Sequence, residues 1–459
     1  MTRDLDALIV GGGVVGAVMA SLLIERGLAE PKRVALIDER LAPPPPLAGE
    51  LGWDLRVVAL SRASQRLLDV IGVWPRLPSA RVSPYQRMCV WDASGSASAA
   101  AAEAAEAAGS AGTATARTGA AAAQRSGWGT GSIQFDAADL GEPNLGSIVE
   151  VRALQRACLE AASAAGALMM EARVTRLEPS ASTAPAGGGL RVRLDDGREL
   201  EAGLVIAADG VDSPTRRLLG IETSGHAYHQ DALVAHVRTA RPHQETAWQR
   251  FLPTGPIAFL PLADGRSSIV WSTPSREAER LRVLDRVAFG AAVSEASDHV
   301  LGSVEVTTPI ASFPLKLQHA GHYVAPHAVL LGDAAHAVHP LAGQGLNLGL
   351  LDCAALAEVL GEARSGAMGG AGLADAAALR RYQRWRRSEN LLAAAALDGL
   401  ERLFSNTHPL ASRLRSFGLE AVGRVAPLRN HLARRALGLA GDIPAFLRGQ
   451  APGAAAPRT

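Results

Sequence analysis

The sequence predicts an α/β fold in which a domain with a parallel sheet is combined with a second domain built on an antiparallel sheet and with a helical C-terminus. Three observations support this prediction. The chain opens with an apolar run, a glycine turn, a helical run and a second apolar run. Segments rich in β-branched and aromatic residues, separated by proline and glycine turns, fill residues 225–314, and long helical segments follow Asn347.

The first predicted elements are a strand at Ala7–Val10, a helix at about Val14–Arg26 and a strand at Arg33–Ile37. Strand, helix and strand of these lengths form a βαβ unit with parallel strands. The uncharged run from Ala7 to Ile24 also has the length of a membrane span or a signal-peptide core. Four glycines inside the run, and acids rather than bases just before it, argue against both alternatives.

Later segments extend this plan. The sequence from Gly146 to Gly166 predicts a helix with apolar faces, and Ala328–Leu331 predicts a buried strand. Residues 94–131 consist mainly of Ala, Gly, Ser and Thr without apolar periodicity, which indicates a flexible surface insertion. The domain assignment is 1–84, 146–220 and 316–395 for the first domain, 85–145 (with the insertion) and 221–315 for the second, and 396–459 for the C-terminal helical region.

Composition limits the classes of function. The 459 residues include 46 basic and 45 acidic ones, so the charge gives no reason to expect a nucleic-acid partner. Cys89, Cys158 and Cys353 are far apart in sequence and form no C-x-x-C pair, so neither a disulfide framework nor a thiolate metal cluster is indicated, and a reducing cytoplasm is compatible. The chain is long enough to bury a large cofactor.

The glycine turn after the first strand has the dinucleotide-binding pattern Gly11-x-Gly13-x-x-Gly16. The first glycine permits a tight turn, the second lets the backbone approach a pyrophosphate, and the third lets the helix pack on the strand. Asp38 ends the second strand about 20 residues on, where a carboxylate accepts hydrogen bonds from a ribose. These features predict a Rossmann-type domain, but they serve nicotinamide and flavin enzymes alike.

Two further motifs place an acid beside a glycine at the end of an apolar strand: Asp209-Gly210 and Gly332-Asp333. Each alone is typical of an ordinary strand-end turn. Together with the glycine fingerprint they resemble, in order and spacing, the signature of the flavoprotein aromatic hydroxylases, the p-hydroxybenzoate-hydroxylase-like family. The resemblance predicts FAD as the cofactor.

The resemblance narrows to the ubiquinone-biosynthesis hydroxylases within that family. It rests on the segments "DLRVVALSRASQRLLDVIGVW", "VEVRALQRACLE", "YHQDALVAHV", "AWQRFLPTGPIAFLPL" and "GDAAHAVHPLAGQGLNLGLLDCAALAEVL", and it covers nearly the whole chain outside residues 94–131. One departure is Val151, where this group usually has asparagine; the following Arg152 is kept.

The resemblance implies roles for individual residues. Asp333 would bind ribityl or ribose hydroxyls, and the turn from Pro340 to Asn347 would run along the flavin ring, where glycines allow close approach of backbone amides. The residues expected to bind the cofactor are Gly11, Gly13, Gly16, Asp38, Arg56, Arg152, Asp209, Gly210, Gly332, Asp333, Gly343, Gln344, Gly345, Leu346 and Asn347. Those expected in the substrate pocket are Arg250, Phe251, Pro256 and Pro340.

The implied activity is hydroxylation of the phenolic ring of a polyprenylated ubiquinone precursor by O₂, by way of a flavin C4a-hydroperoxide, with electrons from NAD(P)H or a small redox protein. The flavin carries the chemistry, so no catalytic residue is assigned. Two alternatives stay open: a flavin-dependent reductase of prenyl double bonds and a non-catalytic flavin-binding scaffold. A metal site at Asp333, His336 and His339 is not expected, because no fourth ligand follows at a suitable spacing.

The C-terminal sequence "NHLARRALGLAGDIPAFLRG" combines apolar and arginine positions at helical spacing. Such a helix usually docks on its own protein, and it also suits a membrane surface or a partner protein. The resemblance therefore implies a cytoplasmic protein and leaves open both a peripheral contact with the inner membrane and membership of a ubiquinone-biosynthesis complex.

Overall fold

The computed structural model describes residues 3–42, 53–93, 132–180, 188–338, 344–365, 372–404 and 425–448. The predicted insertion at 94–131 lies outside these ranges. Within them, two large sheets and a set of helices form the fold, and the predicted α/β class with a second antiparallel sheet and C-terminal helices is confirmed.

The first sheet has eight strands, five of which run parallel in the order β19-β11-β1-β2-β8. Strand β10 joins it antiparallel to β11, β9 pairs antiparallel with β10, and β18 pairs antiparallel with β19. Its strands are β1 (Arg3–Val10), β2 (Val34–Asp38), β8 (Leu168–Glu171), β9 (Val174–Pro179), β10 (Leu190–Leu194), β11 (Glu199–Ala207), β18 (Val324–Ala325) and β19 (Ala328–Leu330).

The central strand β1 is apolar at successive positions because both of its faces are covered. Ala7 and Ile9 pack into the core formed with helices α1 (Val14–Glu25), α4 (Val151–Ala165) and α8 (Gln344–Ser365). Leu8 and Val10 point to the other side, into the core formed with β9 and β10. The longest helix, α9 (Ala376–Phe404), packs against α8.

The second sheet has nine strands and runs in the order β20-β17-β12-β15-β14-β13-β5-β6, with β16 beside β12. All pairs are antiparallel except β13 with β5, which are parallel. Its strands are β5 (Arg87–Asp92), β6 (Ser132–Asp136), β12 (Thr223–Thr239), β13 (Thr246–Leu252), β14 (Gly255–Pro261), β15 (Ser267–Pro274), β16 (Val304–Val306), β17 (Ala311–Ala320) and β20 (His336–Ala337).

One face of this second sheet is covered by helices α6 (Ser275–Arg282) and α7 (Arg286–Ala296). Trp91, Phe259 and Phe289 are among the buried aromatic residues of that layer. The opposite face of the sheet is turned toward the parallel-sheet domain and therefore forms one wall of the space between the two.

A three-stranded sheet joins the two domains, with β7 (Gly146–Glu150) between β3 (Val57–Leu60) and β4 (Val82–Tyr85). The remaining helices are α2 (Arg62–Val70), α3 (Ala137–Leu140), α5 (Pro214–Leu218) and α10 (Ala426–Ala436), with 3₁₀ turns at Trp74–Arg76, Ser79–Arg81, Gly332–Ala334 and Ala445–Leu447. None of the helices in the described ranges is both long and apolar enough to cross a bilayer.

Two predicted features differ in detail. The segment predicted as one helix from Gly146 is a strand until Glu150 and a helix only from Val151 to Ala165. Pairing of β7 with both β3 and β4 fixes those first residues as a strand. The domain assignment stays a proposal, and its division between residues 315 and 316 falls inside β17, which continues to Ala320 because it pairs with β12 up to Thr223.

Candidate functional site

A cavity of about 900 Å³ lies where the carboxyl ends of β1, β2, β11 and β19 face the second sheet. Ligands of open α/β sheets bind at this edge of the strands. Ten of the residues predicted to bind a cofactor or substrate line the cavity: Gly11, Gly13, Asp38, Arg56, Asp209, Gly210, Pro256, Asp333, Gly345 and Leu346.

The glycine loop between β1 and α1 is shaped by close backbone contacts. Gly11 has φ +115°, and a Cβ atom there would lie 2.3 Å from the carbonyl oxygen of Ala208. At Gly16 a Cβ atom would lie 1.9 Å from the carbonyl oxygen of Gly11. Gly13 differs, since a Cβ atom there would meet nothing within 4 Å. The loop thus requires glycine at two positions for packing and leaves open space in front of the helix N-terminus at the third.

Asp38 lines the cavity at the end of β2. Its carboxylate accepts hydrogen bonds from the amides of Gly12, at 2.7 Å, and Arg40, at 3.1 Å. Sequence reasoning missed Gln155 of α4, which also lines the cavity and whose amide donates to the carbonyl of Gly12, at 3.0 Å. The two hydrogen bonds to Gly12, from its amide to Asp38 and from Gln155 to its carbonyl, hold the glycine loop against the end of the sheet.

The turn after β19 carries Asp333 into the cavity. Gly332 has φ +56°, a left-handed conformation that favours glycine, and begins the short 3₁₀ turn. The side chain of Asp333 is accessible from the cavity, and protein atoms surround it on its other sides and partly desolvate it. This burial raises the pKa of the Asp333 carboxyl, and the charges of His336 and Arg56 oppose the shift.

A buried cluster that sequence reasoning did not identify lies behind this turn. The carboxylate of Asp352 accepts hydrogen bonds from the amide of Gly332 (3.1 Å), from His336 Nε2 (2.6 Å), from Arg386 Nε (2.7 Å) and from Asn390 Nδ2 (3.1 Å). Burial opposes ionisation of Asp352, but the neighbouring His336 and Arg386 hold its pKa well below the usual range. We call Asp352, His336, Arg386 and Asn390 the Asp352 cluster.

Two aromatic groups border the Asp352 cluster. The hydroxyl of Tyr323 accepts a hydrogen bond from Asn390, at 3.4 Å, and lies 3.5 Å from His319 Nε2. Burial lowers the pKa of His319 to about 4, with the charges of His336 and Arg387 acting in the same direction. His319 is therefore neutral at physiological pH, and the ionic charge of this region is concentrated on the Asp352 cluster.

The turn that carries Asp209 is connected to the turn that carries Asp333. The carboxylate of Asp209 accepts hydrogen bonds from the hydroxyl of Ser213 and, at 2.9 Å, from the amide of Thr215, so it fixes the start of α5. Arg216 of that helix is buried and donates to the carbonyl of Ala334, at 2.9 Å. Residues more than a hundred positions apart in sequence thereby hold the two acid-bearing turns together.

The start of α8 supplies the last part of the cavity wall, through Gly345 and Leu346. Asn347 is 3% exposed and its side chain points away from the cavity: its oxygen accepts from the Ser61 amide (2.9 Å) and the Ser64 hydroxyl (2.7 Å), and its nitrogen donates to the Ala59 carbonyl (2.8 Å). The side chain of Asn347 thus anchors α8 to the β3–α2 segment.

Several predicted residues lie elsewhere. Gly16 and Gly332 contribute to backbone packing behind the cavity, and Gln344 is not among the residues that line it. Arg152 also lies off the lining, and its Nε is buried without a hydrogen-bond partner among the described residues. Pro340 and Gly343, like His339, fall outside the described ranges.

Two residues predicted for the substrate pocket do not line this cavity. Arg250 points to the far face of the sheet, where it donates to the carbonyl of Ala296 (3.1 Å) at the end of α7 and to that of Ala93 (3.3 Å). Phe251 is buried against Val90 and Ile133 and does not line the cavity. Adjacent strand residues alternate between faces, and Gln249 rather than Arg250 is directed to the cavity side.

The residues present fit FAD. The loop amides and the N-terminus of α1 face open space at Gly13, as a pyrophosphate requires. Asp38 and Asp333 offer carboxylates to hydroxyl groups at two separate points of the cavity, and Gly345 leaves the start of α8 without a side chain. An elongated dinucleotide with hydroxyl groups at two positions matches this arrangement.

Comparisons with known proteins agree with this reading. A family model described as "FAD binding domain" matches residues 4–390. The 3-demethoxyubiquinol 3-hydroxylase of Escherichia coli K12 is 34% identical over 445 residues, covering 95% of this chain and 98% of that protein. Ubiquinone hydroxylase UbiL of Rhodospirillum rubrum is 36% identical over 450 residues, covering 97% and 92%.

Among solved structures, p-nitrophenol 4-monooxygenase PnpA of Pseudomonas putida DLL-E4 matches with a TM-score of 0.68 at 16% identity, covering 95% of this chain and 99% of that one. At that identity the likeness concerns the fold alone. The family match and the relatives, together with the cavity and its acid-bearing turns, show that the chain belongs to the ubiquinone-biosynthesis hydroxylases of the FAD-dependent monooxygenase family.

Proposed function

We propose that this protein hydroxylates the aromatic ring of a polyprenylated phenol or quinol precursor of ubiquinone, using O₂. The observation that carries the proposal is the single cavity that reaches from the glycine loop to the face of the antiparallel sheet. It offers hydrogen-bonding groups at the cofactor end and a largely apolar wall at the other end, where a ring can lie. Relatives named as ubiquinone hydroxylases support the same substrate class.

The chemistry supplied by bound FAD is the two-electron activation of O₂. In the overall reaction one oxygen atom is inserted into an aromatic C–H bond. The other oxygen leaves as water, which takes up two protons and two electrons. NAD(P)H or a small redox protein would provide those electrons.

The chain's own residues would bind the cofactor and keep water from the reacting ring. Gly11, Gly13 and the N-terminus of α1 would hold the pyrophosphate, with Asp38 and Asp333 accepting hydrogen bonds from hydroxyl groups. The start of α8 at Gly345 and Leu346 would lie along the flavin ring, where unpaired amides at a helix N-terminus favour negative charge.

The test is turnover by the FAD-loaded protein with a short-chain prenylphenol, NADH or NADPH, and isotopically labelled O₂. We expect substrate-dependent O₂ consumption and a product that carries one labelled oxygen. A product with two added hydrogens and no O₂ consumption would identify a prenyl reductase instead. Flavin that is neither reduced nor reoxidised with any donor or substrate would identify a non-catalytic scaffold.

Contact with a membrane surface or a partner complex is proposed for the C-terminal helices. Leu391 and Leu392 of α9 and Leu432 of α10 are exposed apolar side chains, and Arg434 and Arg435 follow in the last turn of α10. Exposed leucines beside arginines suit the surface of an anionic bilayer. Binding of the protein to vesicles with and without anionic lipid, compared with a Leu392→Ser, Leu432→Ser variant, tests this contact and with it the proposed peripheral location.

A further inference from the structure

A short stretch of irregular backbone just before β3 brings a positive charge to the cavity. Leu55 and Arg56 line the cavity, and Arg56 is exposed there. The charge of Arg56 is close enough to Asp333 to oppose the rise in the pKa of that carboxyl. The electrostatics of the cofactor end therefore depend on where this stretch of backbone lies.

Hydrogen bonds fix the backbone on both sides of Leu55. The amide of Asp54 donates to Glu150 Oε1, at 2.6 Å, and the amide of Arg56 donates to the carboxylate of Asp54, at 3.2 Å. The carbonyl of Arg56 accepts from the amide of Val151, at 2.9 Å. The carbonyl of Asp54 lies 3.0 Å from Nε2 of His236. The amide and the carbonyl of both Asp54 and Arg56 thus have partners.

His236 is the contact that the antiparallel sheet makes with this stretch of backbone. Glu150 and Val151 lie at the end of β7 and the start of α4, whereas His236 lies on β12 and is fully buried. Val234, two positions earlier on the same strand and therefore on the same face, lines the cavity. A single strand thus carries both a residue of the cavity wall and an anchor for the Arg56 backbone.

The state of the His236 ring follows from its surroundings. Burial lowers the pKa of His236, so the imidazole is neutral at physiological pH. A carbonyl oxygen can only accept, so Nε2 carries the proton and donates to Asp54. Nδ1 is then a buried acceptor without a partner among the described residues, which is unfavourable. An apolar side chain would avoid that penalty, so packing of the sheet alone does not explain an imidazole at this position.

We propose that His236 is a positioning residue for cofactor binding: its hydrogen bond to the Asp54 carbonyl holds Arg56 at the cofactor end of the cavity. His236 is not among the residues that line the cavity, so it acts through the backbone and does not touch the cofactor. The placement of the antiparallel sheet is thereby coupled to the affinity for FAD. This inference goes beyond the proposed hydroxylation and rests on the FAD-binding role expected of Arg56.

The experiment is a double-mutant cycle on the full chain, with His236→Leu, Arg56→Ala and the two combined. Titration of the flavin-free proteins with FAD, followed by flavin fluorescence, gives the dissociation constants, and melting temperatures report on folding. His236→Gln keeps an N–H donor on a side chain of similar reach. If His236→Leu does not fold, His236→Phe, which keeps a ring without the donor, replaces it in the cycle.

His243 provides the matched control. It lies in the same antiparallel-sheet domain, and its Nε2 also contacts a backbone carbonyl, that of Leu262 at 3.2 Å. Burial lowers the pKa of His243 as it does that of His236. Neither His243 nor Leu262 lines the cavity, so His243→Leu removes the same kind of hydrogen bond without affecting the cofactor end.

We expect His236→Leu to raise the dissociation constant for FAD roughly 10-fold. In the Arg56→Ala background the same substitution should change it by less than about twofold, because the charge that His236 places is no longer there. His236→Gln should stay within about threefold of the wild type, and His243→Leu within about twofold. A role confined to folding stability would instead weaken FAD binding equally in both backgrounds.

The inference is overturned if His236→Leu binds FAD as the wild type does, or if its effect is equal in the two backgrounds. It is also overturned if Arg56→Ala keeps wild-type FAD affinity, or if His236→Gln loses as much affinity as His236→Leu. Each of these results leaves the hydroxylase function intact as long as the wild type converts the prenylphenol. Absence of that turnover would refute the proposed function without altering the outcome of the FAD-binding cycle.

Discussion

The two ends of the cavity are prepared for their ligands in different ways. At the cofactor end, Asp38, Asp209 and the side chain of Asn347 already have hydrogen-bond partners within the protein. On the antiparallel-sheet side, Gln249 borders the cavity in a row with the apolar residues Ala258 and Val270. The cofactor end is thus held in shape by the protein itself, whereas the antiparallel-sheet side presents an amide and mostly apolar side chains to the cavity. Variants at the two ends should therefore fail differently.

The largest effect is expected at the glycine loop. In Gly16→Ala the new Cβ atom would lie 1.9 Å from the carbonyl oxygen of Gly11, so helix α1 must move away from β1. We expect the purified variant to contain no FAD, measured as flavin absorbance after gel filtration. Gly13→Ala, whose Cβ would enter open space, is the control, and it should disturb the protein's folding much less. Full flavin occupancy in Gly16→Ala would contradict this account of the loop.

A large loss of unfolding free energy is expected from substitution in the Asp352 cluster. Asp352→Ala leaves Arg386 buried without its carboxylate, and loss of one partner from a buried pair typically costs about 3–5 kcal/mol. Urea unfolding of the variant and the wild type measures the difference. Asp352→Asn, which keeps two polar atoms in place, should lose less. Wild-type stability in Asp352→Ala would show that the cluster does not support the turn at Gly332.

Substitution of Asp333 should weaken FAD binding and leave the stability of the fold nearly unchanged. Its carboxylate faces the cavity, so in Asp333→Asn we expect FAD to bind roughly 10- to 100-fold more weakly, with little change in urea midpoint. The pKa of Asp333 is raised, so the wild-type carboxylate takes up a proton at a higher pH than an ordinary aspartate does as the pH falls. FAD affinity of the wild type should decline as the pH falls through the range in which Asp333 is protonated. This pH-dependent decline should be absent from Asp333→Asn. Titration of FAD fluorescence against pH measures both.

The smallest effect is expected from Arg250, on the face of the antiparallel sheet that is turned away from the cavity. Arg250→Gln removes hydrogen bonds to carbonyls at the end of α7, a loss of about 1 kcal/mol in unfolding free energy. Binding of 2-geranylphenol should stay within about twofold of the wild type, since Arg250 faces away from the cavity. If Arg250→Gln binds the phenol much more weakly than the wild type does, Arg250 contributes to the substrate pocket. The two faces of β13 would then not differ in the way described.

Sequence reasoning identified residues that border the cavity where the pattern lies within a few neighbouring positions. The glycine loop, the acid after β2 and the two strand-end acids are local patterns, and most of them border the cavity. It failed at Gly146–Glu150, whose strand conformation comes from pairing with β3 and β4 rather than from its own periodicity. Asp352 and Arg386 carry no local signal either, because their partners lie in distant segments.

The neighbouring residues Gln249 and Arg250 show the same limit of prediction from local sequence. Strand alternation predicts that they face opposite sides, but which side borders the cavity depends on how the whole sheet is placed. The family pattern led to Arg250 and Phe251. Of the two neighbours Gln249 and Arg250, the structure places Gln249 at the cavity.

The way the parallel sheet is interrupted bears on how the protein is made. Its strands come from segments separated by the antiparallel sheet, and the turn at Asp333 and the start of α8 lie far beyond the glycine loop along the chain. During synthesis on the ribosome, the nucleotide cradle is complete only after Leu346 has emerged. The nascent chain must therefore keep its early βαβ unit soluble, without the help of cofactor binding, while most of the polypeptide is still being translated.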